Sequence, residues 1–206
     1  MKEDPIIHYY NQLARNYDQN RFNNSYGKFI DARERHILNK LVSQNEIVVD
    51  LACGSGRLLN FASIGIDASK EMLAIAQTKF PDKNYYLADA EKIPLDDASV
   101  DTIIIFHFFM HLDVNKIHTI LTDCNRILKK NGRIIFDVPS KKRRSLLGYK
   151  SSDWHGSYSL SFNDLKSLTN LKIKNTFGLL FIPIHRFPIP VRSFLSKIDS
   201  LLSNPF

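Results

Sequence analysis

The chain has 206 residues, of which 44% are apolar, and a formal net charge of +7. This length and apolar content suffice for one substantial core and argue against a disordered chain. The two cysteines, Cys53 and Cys124, match the spacing of neither a zinc-binding pair nor a redox pair, which favours a reducing compartment.

The N-terminal residues indicate neither export nor membrane insertion. The first twenty are too polar for a signal peptide, and no run approaches the ~18 apolar residues that span a bilayer. The histidines outside the motifs described below show no ligand spacing, so we predict no metal site. We expect a cytoplasmic protein.

Positive charge is concentrated towards the C-terminus. Residues 129–206 contain 14 Lys and Arg against 4 Asp and Glu, whereas residues 1–128 contain 14 against 17. A basic surface of this kind attracts nucleic acid, phosphorylated metabolites or acidic lipid head groups. A solvated surface that keeps the protein dissolved explains the charge equally well.

From Ile47 onwards, short apolar runs alternate with helical patterns. This alternation is typical of βαβ units that form a parallel sheet. It predicts an α/β fold with a doubly wound, mostly parallel Rossmann-like sheet and helices on both faces. The predicted strands are residues 47–51, 63–67, 84–87, 102–106 and 133–138.

Capping residues mark the helices between these strands. Ser69 is predicted to cap one helix and Asp113 another, and Asn131-Gly132 is predicted to end the second in a left-handed turn. A further helix after Gly56 has to be short, because few residues separate it from the second strand.

The segments on either side of the sheet have less regular patterns. Residues 9–41 predict one or two amphipathic helices that form a lid over the site. Residues 161–168 and 191–202 predict helices, and residues 171–182 predict a long strand. We interpret the chain as one domain, with a lid at 1–45, a core at 46–140 and substrate-side elements at 141–206.

A glycine-containing loop follows the first strand. Asp50-Leu51-Ala52-Cys53-Gly54-Ser55-Gly56 leads from the strand into a turn, and Asp67 ends the second strand. Glycines at a strand end let a ligand approach the backbone, and an acid on the next strand binds a ribose diol. The loop therefore predicts a nucleoside-bearing cofactor. A nicotinamide-dependent dehydrogenase is disfavoured, because Leu59 occupies the third glycine position of its motif.

The motifs resemble those of class I S-adenosylmethionine-dependent methyltransferases, in the small-molecule group that includes the ubiquinone-type enzymes. The resemblance covers residues 9–140. Three features depart from the family pattern: Ala52 replaces the usual first glycine, the helix after Arg57 is short, and only one late strand is evident where the family has a hairpin. The matching segments are 16–18, 50–57, 65–69, 88–90, 99–112 and 126–133.

The resemblance implies S-adenosylmethionine as the cofactor. It places the methionine part beside Gly54 and Gly56, the amino group near Asp50 and the ribose hydroxyls on Asp67. Asp89 is assigned to the adenine amine, although a turn cap explains it as well. The residues that the resemblance assigns to the cofactor are Tyr17, Arg21, Asp50, Ala52, Gly54, Gly56, Asp67, Ala68, Met72, Asp89, Ala90 and Phe106.

Two histidines after the fourth strand are the catalytic candidates. His107 and His111 follow its carboxyl end, and histidine is suited to accept a proton near neutral pH. Packing of His111 under the following helix is the alternative. The predicted reaction is methyl transfer to oxygen or nitrogen of a small molecule, for which an anionic or lipid-linked acceptor is compatible. Methylation of tRNA and a non-catalytic cofactor-binding module remain alternatives.

Overall fold

The structure is a computed structural model that describes residues 4–146, 148, 155–178, 182, 184 and 187–202. Its helices and strands, in chain order, are α1 (Pro5–Leu13), α2 (Tyr17–Phe22), α3 (Ser25–Leu41), β1 (Val48–Leu51), β2 (Ile64–Asp67), α4 (Lys70–Lys79), β3 (Asn84–Leu87), β4 (Val100–Ile105), α5 (Val114–Ile127), β5 (Leu128–Phe136), α6 (Lys141–Leu146), α7 (Phe162–Leu168) and α8 (Ile189–Leu202). Short 3-10 turns cover Ala14–Asn16 and Phe109–His111.

The chain divides into two compact units. The sheet unit contains Met1–Arg15 and Ser43–Leu171, and the helical unit contains Asn16–Val42 and Lys172–Phe206. The predicted lid at 1–45 is therefore divided, since α1 belongs to the sheet unit while α2 and α3 belong to the helical unit. Whether α2 and α3 form a lid stays a prediction.

The sheet unit contains five parallel strands in the order β3-β2-β1-β4-β5. The predicted doubly wound, parallel α/β fold is confirmed. Because all five strands run in one direction, their carboxyl ends lie at one edge of the sheet. The strand order reverses between β1 and β4, and ligands of such sheets bind at this reversal point.

The core lies around the two central strands. Val49 and Leu51 of β1 and Ile103 and Ile105 of β4 are completely buried, and Cys124 of α5 belongs to the same cluster. Strands that are covered on both faces have continuous apolar sequences rather than alternating ones. This explains why both strands could be recognised from short apolar runs.

The predicted helix starts are confirmed. The Ser69 hydroxyl accepts from the Met72 amide, and the Asp113 carboxylate accepts from two amides at the start of α5. Ser161 and Asp164 form a reciprocal capping box at the start of α7. Each cap satisfies backbone donors that the first helical turn leaves without an intrahelical partner.

The predicted helix after Gly56 is wrong, because residues 54–61 form a succession of turns. The amide of Leu59 donates to Gly56 and that of Phe61 to Leu58, and the Ser63 amide already donates to Val48 of β1. Too few residues are available for helical turns that also return the chain to the start of β2. Leu58 and Leu59 are nevertheless buried.

Two further expectations need correction. Residues 171–178 form no strand, and residues 179–181 lie outside the described part of the chain. A β-prone sequence becomes a strand only where a partner strand satisfies its backbone groups. Asn131 is left-handed as predicted, with φ of 68°, but α5 ends four residues earlier at Ile127. Asn131 instead lies at an irregularity in the pairing of β4 with β5.

The helical unit packs α3 against α8. The Arg192 guanidinium donates to the Ser25 hydroxyl at 2.8 Å, and the buried Asp199 carboxylate accepts from the Ile182 amide at 2.6 Å. The predicted C-terminal helix is confirmed as α8. Within the described ranges, no helix has the length and apolar character needed to cross a membrane.

Candidate active site at the carboxyl edge of the sheet

The Asp67 carboxylate joins the ends of β1 and β2. One oxygen accepts from the Gly54 amide at 2.7 Å, and the other accepts from the Ser69 amide at 2.8 Å. Burial raises the pKa of this carboxyl group, and backbone hydrogen bonds from Ser69, Gly54 and Ala68 oppose the rise. The acid that the sequence assigns to a ribose therefore also holds the glycine loop in place.

The two glycines of this loop serve different purposes. Gly54 has φ of +54°, and no atom lies within 4 Å of the position that a Cβ would occupy. This side of the loop is therefore open to a ligand. At Gly56, with φ of +85°, a Cβ would lie 3.0 Å from Leu59 and 3.1 Å from Ala76. The positive φ and the close packing of Leu59 and Ala76 therefore favour glycine at position 56, whereas Gly54 leaves room for a ligand.

Asp50 is the most buried acid of the site. Burial raises its pKa to about 7, the charge of Asp67 adds to the rise, and the charge of Arg57 opposes it. A nearby cation stabilises the ionised form of such a buried carboxyl group. The structure thus fits the predicted position of Asp50 near the cofactor's amino group, and that assignment stays a prediction.

The segment that contains Asp89 lies beside the end of β2. Asp67 pairs with Leu87 of β3, and the Ala88 amide donates to the Asp67 carbonyl at 3.1 Å. Asp89 is exposed and accepts from the Glu91 amide at 2.9 Å, which is the turn cap considered from the sequence. A carboxylate has further lone pairs, so this contact leaves it able to bind a ligand.

The other residues assigned to the cofactor fall into three groups. Met72 and Ala90 are buried in the interior, while Ala52, Ala68 and Phe106 are half-buried at strand ends. Tyr17 and Arg21 belong to α2 in the helical unit, and their contact with the cofactor stays a prediction.

His107 lies directly after β4 in a left-handed conformation, with φ of +57°. Its amide donates to one Asp137 carboxylate oxygen at 2.6 Å, and its Nδ1 lies 3.9 Å from the other. Asp137 follows β5, so the pair connects two neighbouring strand ends. Asp137 was not predicted as a site residue, although a position near the carboxyl end of the predicted strand 133–138 is typical of site residues.

His111 is buried, and both of its ring nitrogens are in hydrogen bonds. Nδ1 accepts from the Gly156 amide at 3.0 Å, and Nε2 lies 3.0 Å from the Tyr10 hydroxyl. The His155 ring lies 4.6 Å from the His111 ring, measured between centroids. Because Nδ1 is an acceptor, the proton of the neutral ring is on Nε2, which donates to Tyr10.

Helix α1 connects the ends of two strands. Tyr10 contacts His111 after β4, and the neighbouring Asn11 accepts from the Ser69 hydroxyl after β2, at 2.5 Å. Tyr10 and Asn11 were missed as individual site residues, because their partners are distant in the chain. The only sequence signal was the predicted amphipathic helix that contains them.

Comparison with known proteins defines the class. Residues 49–136 match the family model described as "Methyltransferase domain". This match covers β1 to β5 together with the glycine loop, Asp67 and Asp89. With the parallel sheet described above, it shows that residues 49–136 form a methyltransferase domain of the class I S-adenosylmethionine-dependent type, and the dehydrogenase alternative is set aside.

The relatives are similar in sequence and in structure. An uncharacterized protein of Methanocaldococcus jannaschii is 36% identical over 65% of this chain, which spans 51% of that protein. A ubiquinone/menaquinone biosynthesis C-methyltransferase of Campylobacter jejuni is 25% identical over 98% of this chain and 87% of its own length. A SAM-dependent methyltransferase of Archaeoglobus fulgidus has a TM-score of 0.64 at 20% identity, covering 91% of each chain.

The methyltransferase domain over residues 49–136 identifies S-adenosylmethionine as the cofactor. The residues present fit it: open space beside Gly54 accommodates the methionine part, and the buried Asp50 favours a cation. Asp67 and Asp89 add carboxylate acceptors on the two adjoining strand ends.

Proposed function

We propose that the chain transfers a methyl group from S-adenosylmethionine to an oxygen or nitrogen atom of a small molecule. The observation that carries this proposal is the Tyr10–His111 hydrogen bond at the carboxyl end of β4. A hydroxyl or amine acceptor loses a proton when it is methylated. A hydrogen-bonding group beside the acceptor therefore assists the reaction, by roughly 10²–10⁴ where it acts as an acid or base.

The reaction mainly requires alignment. The cofactor supplies an activated methyl group, so the chain has to hold the acceptor in line with it and exclude water, which contributes about 7–11 kcal/mol. Asp50, Gly54 and Asp67 would hold the cofactor on one side of the strand-order reversal. His107 and the Tyr10–His111 pair would lie on the acceptor side.

Tyr10, rather than His111, is the group that would contact the acceptor. The Gly156 amide occupies the Nδ1 lone pair of His111, and Nε2 carries the proton that it donates to Tyr10. His111 is thereby a positioning residue that supports negative charge on the Tyr10 oxygen. The phenol keeps its own proton to donate to the acceptor, or accepts one after it has ionised.

The test compares Tyr10→Phe with Tyr9→Phe. Labelled methyl donor is supplied with mixtures of phenols, carboxylic acids and amines, and cofactor binding is measured by calorimetry. We expect Tyr10→Phe to lower kcat at least tenfold with unchanged cofactor affinity, and His111→Gln to alter the pH profile. Tyr9→Phe is the matched control. The Tyr9 ring contacts the Tyr10 ring, but the hydroxyl group that meets His111 is that of Tyr10. Unchanged turnover of Tyr10→Phe overturns this assignment.

A lipid-linked acceptor is the second candidate. The Campylobacter jejuni relative, which aligns with nearly the whole chain, is named as a ubiquinone/menaquinone biosynthesis C-methyltransferase. Label that partitions into organic solvent after incubation with quinol precursors would support this candidate. Label in tRNA would support the nucleic-acid alternative, and tight cofactor binding without any labelled product would support a non-catalytic module.

A further inference from the structure

Helix α8 presents large apolar side chains to solvent. Phe194 is 66% exposed and Leu201 is 73% exposed, and Ile189 at the start of the helix is 72% exposed. Phe194 and Leu201 are seven residues apart, so they lie within about 20° of each other around the helix axis.

The exposed charged residues that the structure describes in the segment 172–206, Lys172, Lys174 and Lys197, are all cations. Residues 172–206 contain five Lys and Arg and a single acid, Asp199. Asp199 is buried and accepts from the Ile182 amide. Lys197 is exposed and lies between Phe194 and Leu201 on the same helical face.

We propose that this face of α8 binds the surface of an anionic lipid bilayer. A helix with exposed Phe and Leu beside Lys lies in the interface, with its rings among the acyl chains and its cations at the head groups. The inference does not depend on methyl transfer, because it rests only on exposure and charge in the helical unit.

A second copy of the chain fits this face less well. In a two-fold pair of antiparallel helices centred on the patch, Phe194 of one copy would face Leu201 of the other, and the two Lys197 side chains would meet near the axis. Like charges in a desolvated interface oppose association. A nucleic acid would use the cations, but it would leave Phe194 and Leu201 without an apolar partner.

The experiment is co-sedimentation of the full chain with vesicles of phosphatidylcholine, or of phosphatidylcholine and phosphatidylglycerol in equal parts. We expect binding to the anionic vesicles that weakens at high salt. Phe194→Glu should weaken it at least tenfold and Lys197→Ala several-fold. Val114→Glu is the matched control, since it places the same charge on an exposed apolar position of the sheet unit.

Depth of insertion gives an independent readout. A Phe194→Trp variant should show a blue-shifted emission with anionic vesicles that the unsubstituted chain does not show. Circular dichroism of each variant confirms that the fold is retained. Equal binding of Phe194→Glu and the unsubstituted chain overturns the proposal. Absence of vesicle binding also overturns the proposal. If the chain then self-associates and Phe194→Glu abolishes the self-association, the occupant of this face is a second copy.

Discussion

The Asp67 carboxylate accepts a hydrogen bond from the Gly54 amide at 2.7 Å, across 13 residues of sequence. This contact holds the glycine loop after β1 against the end of β2. Because Gly54 also borders open space, the loop geometry and the candidate cofactor surface depend on the same carboxylate. Asp67 thus has a structural role that is separate from any contact with the ribose.

Substitution of Asp67 by Asn should destabilise the protein as well as weaken cofactor binding. One of the two backbone amides would face the new NH₂ group and lose its acceptor, at a cost of about 1–3 kcal/mol. Urea unfolding without cofactor measures the structural part, and calorimetry measures binding. Asp82→Asn, at an exposed position of the same charge, is the control. Equal unfolding midpoints for Asp67→Asn and the unsubstituted chain would show that the loop does not depend on this contact.

Asp50 should make stability fall as pH rises from about 4 to about 7. Its pKa is about 7 in the folded chain and 3.8 ordinarily, so in this range the folded state binds the extra proton. The contribution is up to about 4 kcal/mol, since one pKa unit corresponds to about 1.4 kcal/mol, and it is constant above pH ~7. Asp50→Asn should flatten the profile and be more stable than the unsubstituted chain at pH ~8.

Unfolding free energies measured across this pH range for both chains provide the check. If Asp50 faces the cofactor's amino group, affinity for S-adenosylmethionine should also rise as pH increases through about 7, because the ionised carboxylate attracts the cation. This rise should be absent in Asp50→Asn. Parallel stability profiles of the two chains would contradict the shifted pKa.

Replacing Ala52 by Gly should stabilise the protein. Ala52 has φ of 60°, in the left-handed region where a Cβ is disfavoured by about 1–2 kcal/mol. Glycine also has more conformational freedom in the unfolded chain, which offsets part of the relieved strain. The free energy of unfolding should therefore rise by about 0.5–1 kcal/mol. Thermal unfolding measures it. The control is Ala74→Gly in the middle of α4, which should cost about 1 kcal/mol. A lower melting temperature for Ala52→Gly would argue against strain at this position.

Arg126→Lys should destabilise the sheet unit although the charge is retained. The guanidinium bonds two carboxylates, Asp123 and Asp97, and two backbone carbonyls, those of Ile93 and Leu95. A lysine cannot make this planar set of contacts. Because the group is partly exposed, we expect a cost of only about 1–2 kcal/mol in urea unfolding. Lys130→Ala, at an exposed neighbouring position, should have little effect, and equal loss in both variants would refute the role of the network.

The place in the fold of the residues assigned to the cofactor was largely predictable. Asp50 and Asp67 lie near the carboxyl ends of strands that are recognisable from apolar runs, Gly54 follows the first of these strands, and parallel strands bring their carboxyl ends together. The residues on the acceptor side of the site were less predictable. His111 was recognised, but Tyr10 lies 101 positions away, and nothing in the local pattern of either residue indicates that their side chains meet.

The sequence by itself determined the parallel sheet, the helix starts at Ser69 and Asp113, and the methyltransferase class. These depend on apolar periodicity and capping, which act within a few residues. Only the tertiary structure decided which nitrogen of His111 holds a proton, why Gly56 differs from Gly54, and that Phe194 is exposed. Each of these depends on which distant side chains and amides come into contact, and local sequence carries no record of such contacts.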